Sequence, residues 1–119
     1  MNKKTIKLST KETRLIKLYI GLNDKNTKEQ LHNDGYYMDI INNTMNKYNI
    51  TGYTLYNSIG VYQSMREKNI IIETLDINND INDNTIVNIS NELCDTLNQD
   101  CILYTVDNNV QNIKHSFIG

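Results

Sequence analysis

Apolar and polar positions alternate from Leu15 onward. Ile16, Leu18, Ile20 and Leu22 fall on one side and Lys17, Tyr19 and Gly21 on the other, the period-two signature of a half-buried strand. The run stops at the turn cluster Asn23-Asp24-Lys25-Asn26. Thr27-Lys28-Glu29-Gln30 then reads as a capping box, in which the threonine hydroxyl and the glutamine side chain satisfy orphan helix amides. Leu31, Met38, Ile41, Met45 and Tyr48 recur at helical spacing, so the pattern predicts a first helix over 28–48, closed by Asn49-Ile50-Thr51-Gly52. Gly35 inside it costs about 1 kcal/mol against alanine and suggests close packing on a sheet.

Tyr53-Thr54-Leu55-Tyr56 opens a second strand rich in β-formers, with a bend or bulge at Ser58-Ile59-Gly60. Tyr62 continues toward Arg66-Glu67-Lys68-Asn69, read as a hairpin tip, and Asn69–Leu75 forms a third strand whose isoleucine run suits a sheet centre. A polar loop, Asp76–Asp83, leads to Asn84 as N-cap, and Ile86, Ile89, Leu93 and Leu97 mark one face of a second helix over 85–98. Cys101–Val106 reads as the last strand.

The order strand, helix, strand, strand, helix, strand predicts an α+β ferredoxin-like βαββαβ sandwich, with a four-stranded antiparallel sheet and both helices on one face. The domain spans 15–106, between an N-terminal arm over 1–14 and a C-terminal tail over 107–119. The opposite sheet face, carrying Tyr19 among others, needs covering by a loop, a ligand or another subunit, so a homo-oligomer is expected.

Composition narrows the function classes. The 119 residues fit one domain with one core. A formal charge of −2 supplies no strong field for nucleic acid or an anionic membrane. No apolar stretch is long enough to span a bilayer, and none follows the basic Met1–Thr5 segment, so the expected location is the cytoplasm, the host's if the chain is phage-encoded. Asparagine makes up roughly a sixth of the chain while proline and tryptophan are absent, a usage that AT-rich codons explain. Cys94 and Cys101, seven apart, match neither a CxxC pair nor a zinc ribbon and read as small buried hydrophobes.

Candidate chemistry is sparse, and no cofactor is expected. His32 and His115 have no nucleophile in pattern with them, so no catalytic residue is assigned and a non-enzyme is expected. Asp76, Asp80 and Asp83 lack the spacing of a calcium loop and read as a solvated acidic segment, so no metal site is expected. Arg66 and Lys68 are candidate phosphate ligands and Tyr62 a candidate base-stacking residue, against the plainer reading of a charged hairpin tip. Asn98 and Gln99 carry amides suited to base or ribose hydrogen bonds, while asparagine at that place is equally a helix C-cap. Glu73 on a central strand is either a structural glutamate or a buried base.

Three segments together resemble a known family: Lys17–Asp24; Gly52–Tyr56 running through Gly60-Val61-Tyr62 to Asn69–Glu73; and Leu97–Leu103. Their order and spacing resemble the phage anti-Thoeris sponge proteins, and more distantly the PII-like signalling proteins. The first resemblance implies a phage anti-defence protein that sequesters a cyclic nucleotide immune signal, glycocyclic ADP-ribose or a cyclic oligonucleotide, without cleaving it. Tyr62, Arg66, Lys68, Asn98 and Gln99 would form the pocket. The alternatives are a PII-like nucleotide-responsive regulatory subunit, with a mobile hairpin over 60–69, and a protein inhibitor acting directly on a host enzyme.

Overall fold

The computed structural model describes residues 13–77, 79–100 and 102–108. Its elements are β1 (Arg14–Gly21), α1 (Asp34–Lys47), β2 (Thr54–Tyr62), β3 (Met65–Asp76), α2 (Asp83–Thr96) and β4 (Leu103–Asp107). The four strands form one antiparallel sheet in the order β2-β3-β1-β4, the ferredoxin-like arrangement expected from the element order.

The alternation in β1 sets the layers. Ile16, Leu18 and Ile20 point to the same side as Ile70 and Ile72 of β3, and all five are essentially inaccessible. Tyr37, Ile41 and Met45 of α1 and Ile86, Ile89 and Leu93 of α2 complete the core on that side. Each such buried aliphatic contributes about 2 kcal/mol of apolar transfer. On the other face Tyr56 and Tyr19 flank Ile71, and Lys17 lies opposite Glu73 in register. Burial pushes the Tyr56 phenol up, with the Glu73 carboxylate adding to it.

Asparagine finishes all four helix ends. The Asn33 and Asn82 side chains accept the N3 amides of Tyr36 and Thr85 (3.0 and 2.8 Å). Asn49 and Asn98 sit just past the C-caps with φ of 62° and 52°. There the Ile50 N–H donates to Met45 O and the Gln99 N–H to Cys94 O, so both helices close in Schellman motifs. An asparagine-rich chain thereby stops its helices without proline, and glycine closes neither one.

Several predicted boundaries move. Helix α1 begins at Asp34 rather than 28, because Asp24 captures the amides of Asn26 and Thr27 and Lys28 takes a φ of 63°. The Thr27 hydroxyl accepts only the Glu29 amide, in a turn and not a cap. Gly35 is exposed rather than packed on the sheet, and a Cβ there meets only Asn33 Oδ1 at 3.5 Å. Asn82, not Asn84, caps α2. The β2–β3 hairpin turns at Gln63-Ser64, both at positive φ, so Arg66–Asn69 lie within β3 and form no tip. Cys101, His115 and the two arms fall outside the described residues, apart from the segment around Arg14 that opens β1 and the one around Asp107 that ends β4.

The acidic loop after β3 is an internal latch. Asp76, 4% exposed, accepts the amides of Asp80 and Ile81 (2.8 and 3.1 Å) and pairs with Arg14 at 3.4 Å. The Arg14 guanidinium also reaches Asp83 and donates to the Ile81 carbonyl.

Candidate functional site

Strand β3 is longer than its partner β1, and the site follows from that mismatch. The pairing of β1 with β3 ends at Gly21↔Asn69, while β2 and β3 stay paired for four further positions, out to Tyr62↔Met65. The hairpin therefore projects past the sheet with Ile59, Val61 and Met65 each about two-thirds exposed. Opposite it, the chain leaving β1 folds back as the loop around Asn23–Lys28. Between them lies a groove of about 750 Å³, lined by Asn23, Asp24, Lys25 and Lys28 on one side, by Val61, Met65, Arg66, Glu67 and Asn69 among the hairpin residues on the other, and by Gln99 and Asp100 at one end.

Two glycines let polar side chains lie flat on the groove floor. Glu67 Oε2 accepts the Asn23 N–H at 2.9 Å, and its carboxylate rests over Gly21. A Cβ on Gly21 would stand 2.5 Å from Glu67 Oε2 and 2.6 Å from Oε1. Across β3, a Cβ on Gly60 would stand 2.8 Å from the end of the Asn69 amide. The Asn69 amide, oriented to satisfy both groups, takes the Gly60 N–H at 3.3 Å and gives to the Lys68 carbonyl at 3.2 Å. Only glycine at 21 and 60 leaves room for these close approaches.

The loop wall is pinned to the end of α2. The Asn98 amide donates to Asp24 Oδ1 at 2.7 Å, the Lys25 N–H to Asn98 O at 2.9 Å, and the Gln99 amide to Asn23 O at 2.7 Å. The Asn98 bond holds the Asp24 carboxyl below its ordinary value of 3.8, helped by the Thr27 and Asn26 amides. A depressed pKa stabilises the pinned loop fully above that ordinary value, and the contribution is lost as pH falls through the lower folded value. In acid, the Asn26 and Thr27 amides should therefore lose hydrogen-exchange protection before the sheet unfolds. Protection of those two amides that fades only together with the core amides of β1 would contradict this.

The five sequence-nominated residues divide. Arg66 and Gln99 line the groove together. Asn98 closes α2 and lines a separate, smaller cavity beside Asp24. Lys68 is turned to the α1 terminus, where it pairs with both oxygens of Asp34 (2.8 and 3.0 Å) and holds that carboxyl down. Tyr62 stands at the end of β2, opposite the groove residue Met65. Sequence reasoning missed Glu67, Asn69 and the Asn23–Lys28 wall. The readable signal was the pair of glycines, each one strand away from β3, but only the register brings them beside Glu67 and Asn69. Glu73 is half-buried on the open face, away from the groove. No group of histidine, cysteine and carboxylate side chains suited to a metal occurs among the described residues. No helix among them is long and apolar enough to cross a membrane.

No family model matches this sequence, and no curated protein matches it. Solved structures do. A phage SAM lyase in complex with S-methyl-5'-thioadenosine superposes with a TM-score of 0.68 over 90% of this chain and 89% of that one, at 13% identity. A phage SAM lyase in the apo state gives 0.60 over the same shares, at 11% identity. At these identities the likeness shows a shared fold. It also corrects one expectation from the sequence. The lack of a paired nucleophile and histidine was read as the mark of a non-enzyme, yet a lyase is built on this same architecture.

Proposed function

We propose that this chain is a phage-type protein that binds a small adenosine-based ligand in the hairpin groove, with S-adenosylmethionine (SAM) the ligand class that fits best. The observation that carries the reading is the Glu67 carboxylate, fixed on the groove floor by Gly21 and the Asn23 amide, with Arg66 also lining the groove. A groove of about 750 Å³ lies in the range of small-molecule sites. Exposed Val61 and Met65 offer apolar surface to a base or thioether, and the mixture of Glu67 and Arg66 suits a zwitterion better than a uniformly anionic ligand.

The chemistry of SAM explains how such a site works without a protein nucleophile. The sulfonium is already a leaving group. Attack by the ligand's own carboxylate oxygen on its γ-carbon forms a C–O bond and breaks the C–S bond. Sulfur takes the electron pair, giving S-methyl-5'-thioadenosine and a five-membered lactone that keeps the ammonium. The protein's tasks are orientation and exclusion of water. A carboxylate held against the sulfonium stabilises a charge that disappears in the transition state, whereas one held against the ammonium stabilises a charge that persists. Glu67 therefore serves best as the ammonium partner.

The groove is open along the hairpin, so tight binding would need a second chain laid across the hairpin to enclose it. A second reading, capture of a cyclic nucleotide signal such as glycocyclic ADP-ribose, draws on Lys25, Lys28 and Arg66 lining the groove as phosphate partners. A thermal-shift screen with SAM, S-methyl-5'-thioadenosine and cyclic ADP-ribose isomers separates the two, since a ligand bound to the native state alone raises the melting temperature. A shift with SAM and release of S-methyl-5'-thioadenosine are expected. A shift confined to the cyclic nucleotides would transfer the site to the capture reading.

A further inference from the structure

A second cavity lies on the far side of the Asp24 loop. It measures about 80 Å³ and is walled by Asp24, Leu31, His32, Tyr36, Tyr37 and the end of α2 around Leu97. The His32 ring stacks on Tyr36 with centroids 3.8 Å apart, and Tyr37 meets both edge-on at 6.0 and 5.4 Å. Tyr37 is buried, whereas Tyr36 and Leu31 are 41% and 51% exposed, so the aromatic cluster opens to solvent on one side.

Among the described residues that line the cavity, Asp24 is the only carboxylate and none is a lysine or arginine. The Asn98 and backbone bonds that depress the Asp24 pKa keep that carboxylate ionised. A fixed negative charge beside two tyrosine rings attracts an organic cation, which gains both ion pairing and cation–π contact. The volume holds about three waters, or about three to four non-hydrogen atoms of a head group whose remainder emerges on the open side, and is too small for a purine.

We propose that this cavity is a binding site for a small free organic cation, of the methylated-ammonium class. The site is independent of the adenosine reading, because among the described residues it shares Asp24 alone with the groove. Occupancy draws on the Asp24 carboxylate that Asn98 holds, so the cation also acts on the loop that walls the groove.

Titration of the whole protein with choline, followed by proton and nitrogen NMR, tests the proposal, with the uncharged isostere 3,3-dimethylbutanol as comparison. Saturable shifts at the ring protons of His32, Tyr36 and Tyr37 are expected with choline and absent with the alcohol. Replacing the exposed Tyr36 (Tyr36→Leu) should weaken choline about fivefold without disturbing the fold, by loss of one cation–π partner. Asp24→Asn should weaken it further, and the Tyr36 variant keeps the test valid if that change loosens the loop. Equal binding of the alcohol and choline, no saturable shift with either, or unchanged choline affinity in Tyr36→Leu would overturn the assignment.

Discussion

Replacing Asp76 with alanine should destabilise the protein by about 3 kcal/mol, the largest loss expected from any single polar substitution here. The side chain is 3% exposed and serves three partners at once: the Asp80 amide, the Ile81 amide and the Arg14 guanidinium. Truncation strands two amides and leaves Arg14, only 16% exposed, with the largely solvated Asp83 as its remaining carboxylate. Breaking a buried pair from one side costs more than the pair's net worth, because the survivor keeps its desolvation penalty. Asp76→Asn retains one acceptor and should cost roughly half as much. Urea unfolding monitored by circular dichroism gives both values. A shift in midpoint worth under 1 kcal/mol for the alanine variant would show that water replaces the latch.

Gly21→Ala should weaken ligand binding about tenfold or more while sparing the fold. The new Cβ would occupy space now held by the Glu67 carboxylate, 2.5 Å away. That carboxylate ends a flexible side chain, so it swings aside at little cost in stability. In doing so it leaves the Asn23 amide and the groove floor. Affinity for SAM should fall by about tenfold or more, the scale of a lost charge-assisted hydrogen bond. Glu67→Ala should do the same, and the double variant should be no worse than either, because both remove one interaction. Wild-type affinity in Gly21→Ala, measured by calorimetry, would detach Glu67 from the site.

The regular elements were readable because their causes are local. The β1 alternation and the isoleucine run of β3 are period-two signals, and the apolar positions of α1 and α2 recur on one helical face. The breaks were harder. Thr27–Gln30 has the residues of a capping box, but Asp24 competes for the same amides and Asn33 followed by Asp34 makes the better terminus. The Gln63-Ser64 turn carries none of the Asn-Gly or Asp-Gly chemistry that marks a two-residue hairpin loop, so the tip was displaced onto the charged residues beyond it. The site was the least legible part. Arg66 and Gln99 are nominated because their side chains suit ligand contacts whatever their position, and the fold sets both in the groove lining. Glu67 was passed over as one charge among several, and its significance arises only when Gly21 is seen beneath it, 46 residues earlier in the chain.

Amide chemical-shift mapping of the nitrogen-15-labelled protein during titration with S-methyl-5'-thioadenosine and with SAM tests both the place of binding and the ligand. Saturable shifts are expected at Asn23, Asp24, Gly60, Glu67, Asn69 and Gln99, with Lys17, Tyr19 and Glu73 on the open sheet face left unmoved. Shifts centred on that open face, or no saturable shift with either compound, would contradict binding in the groove.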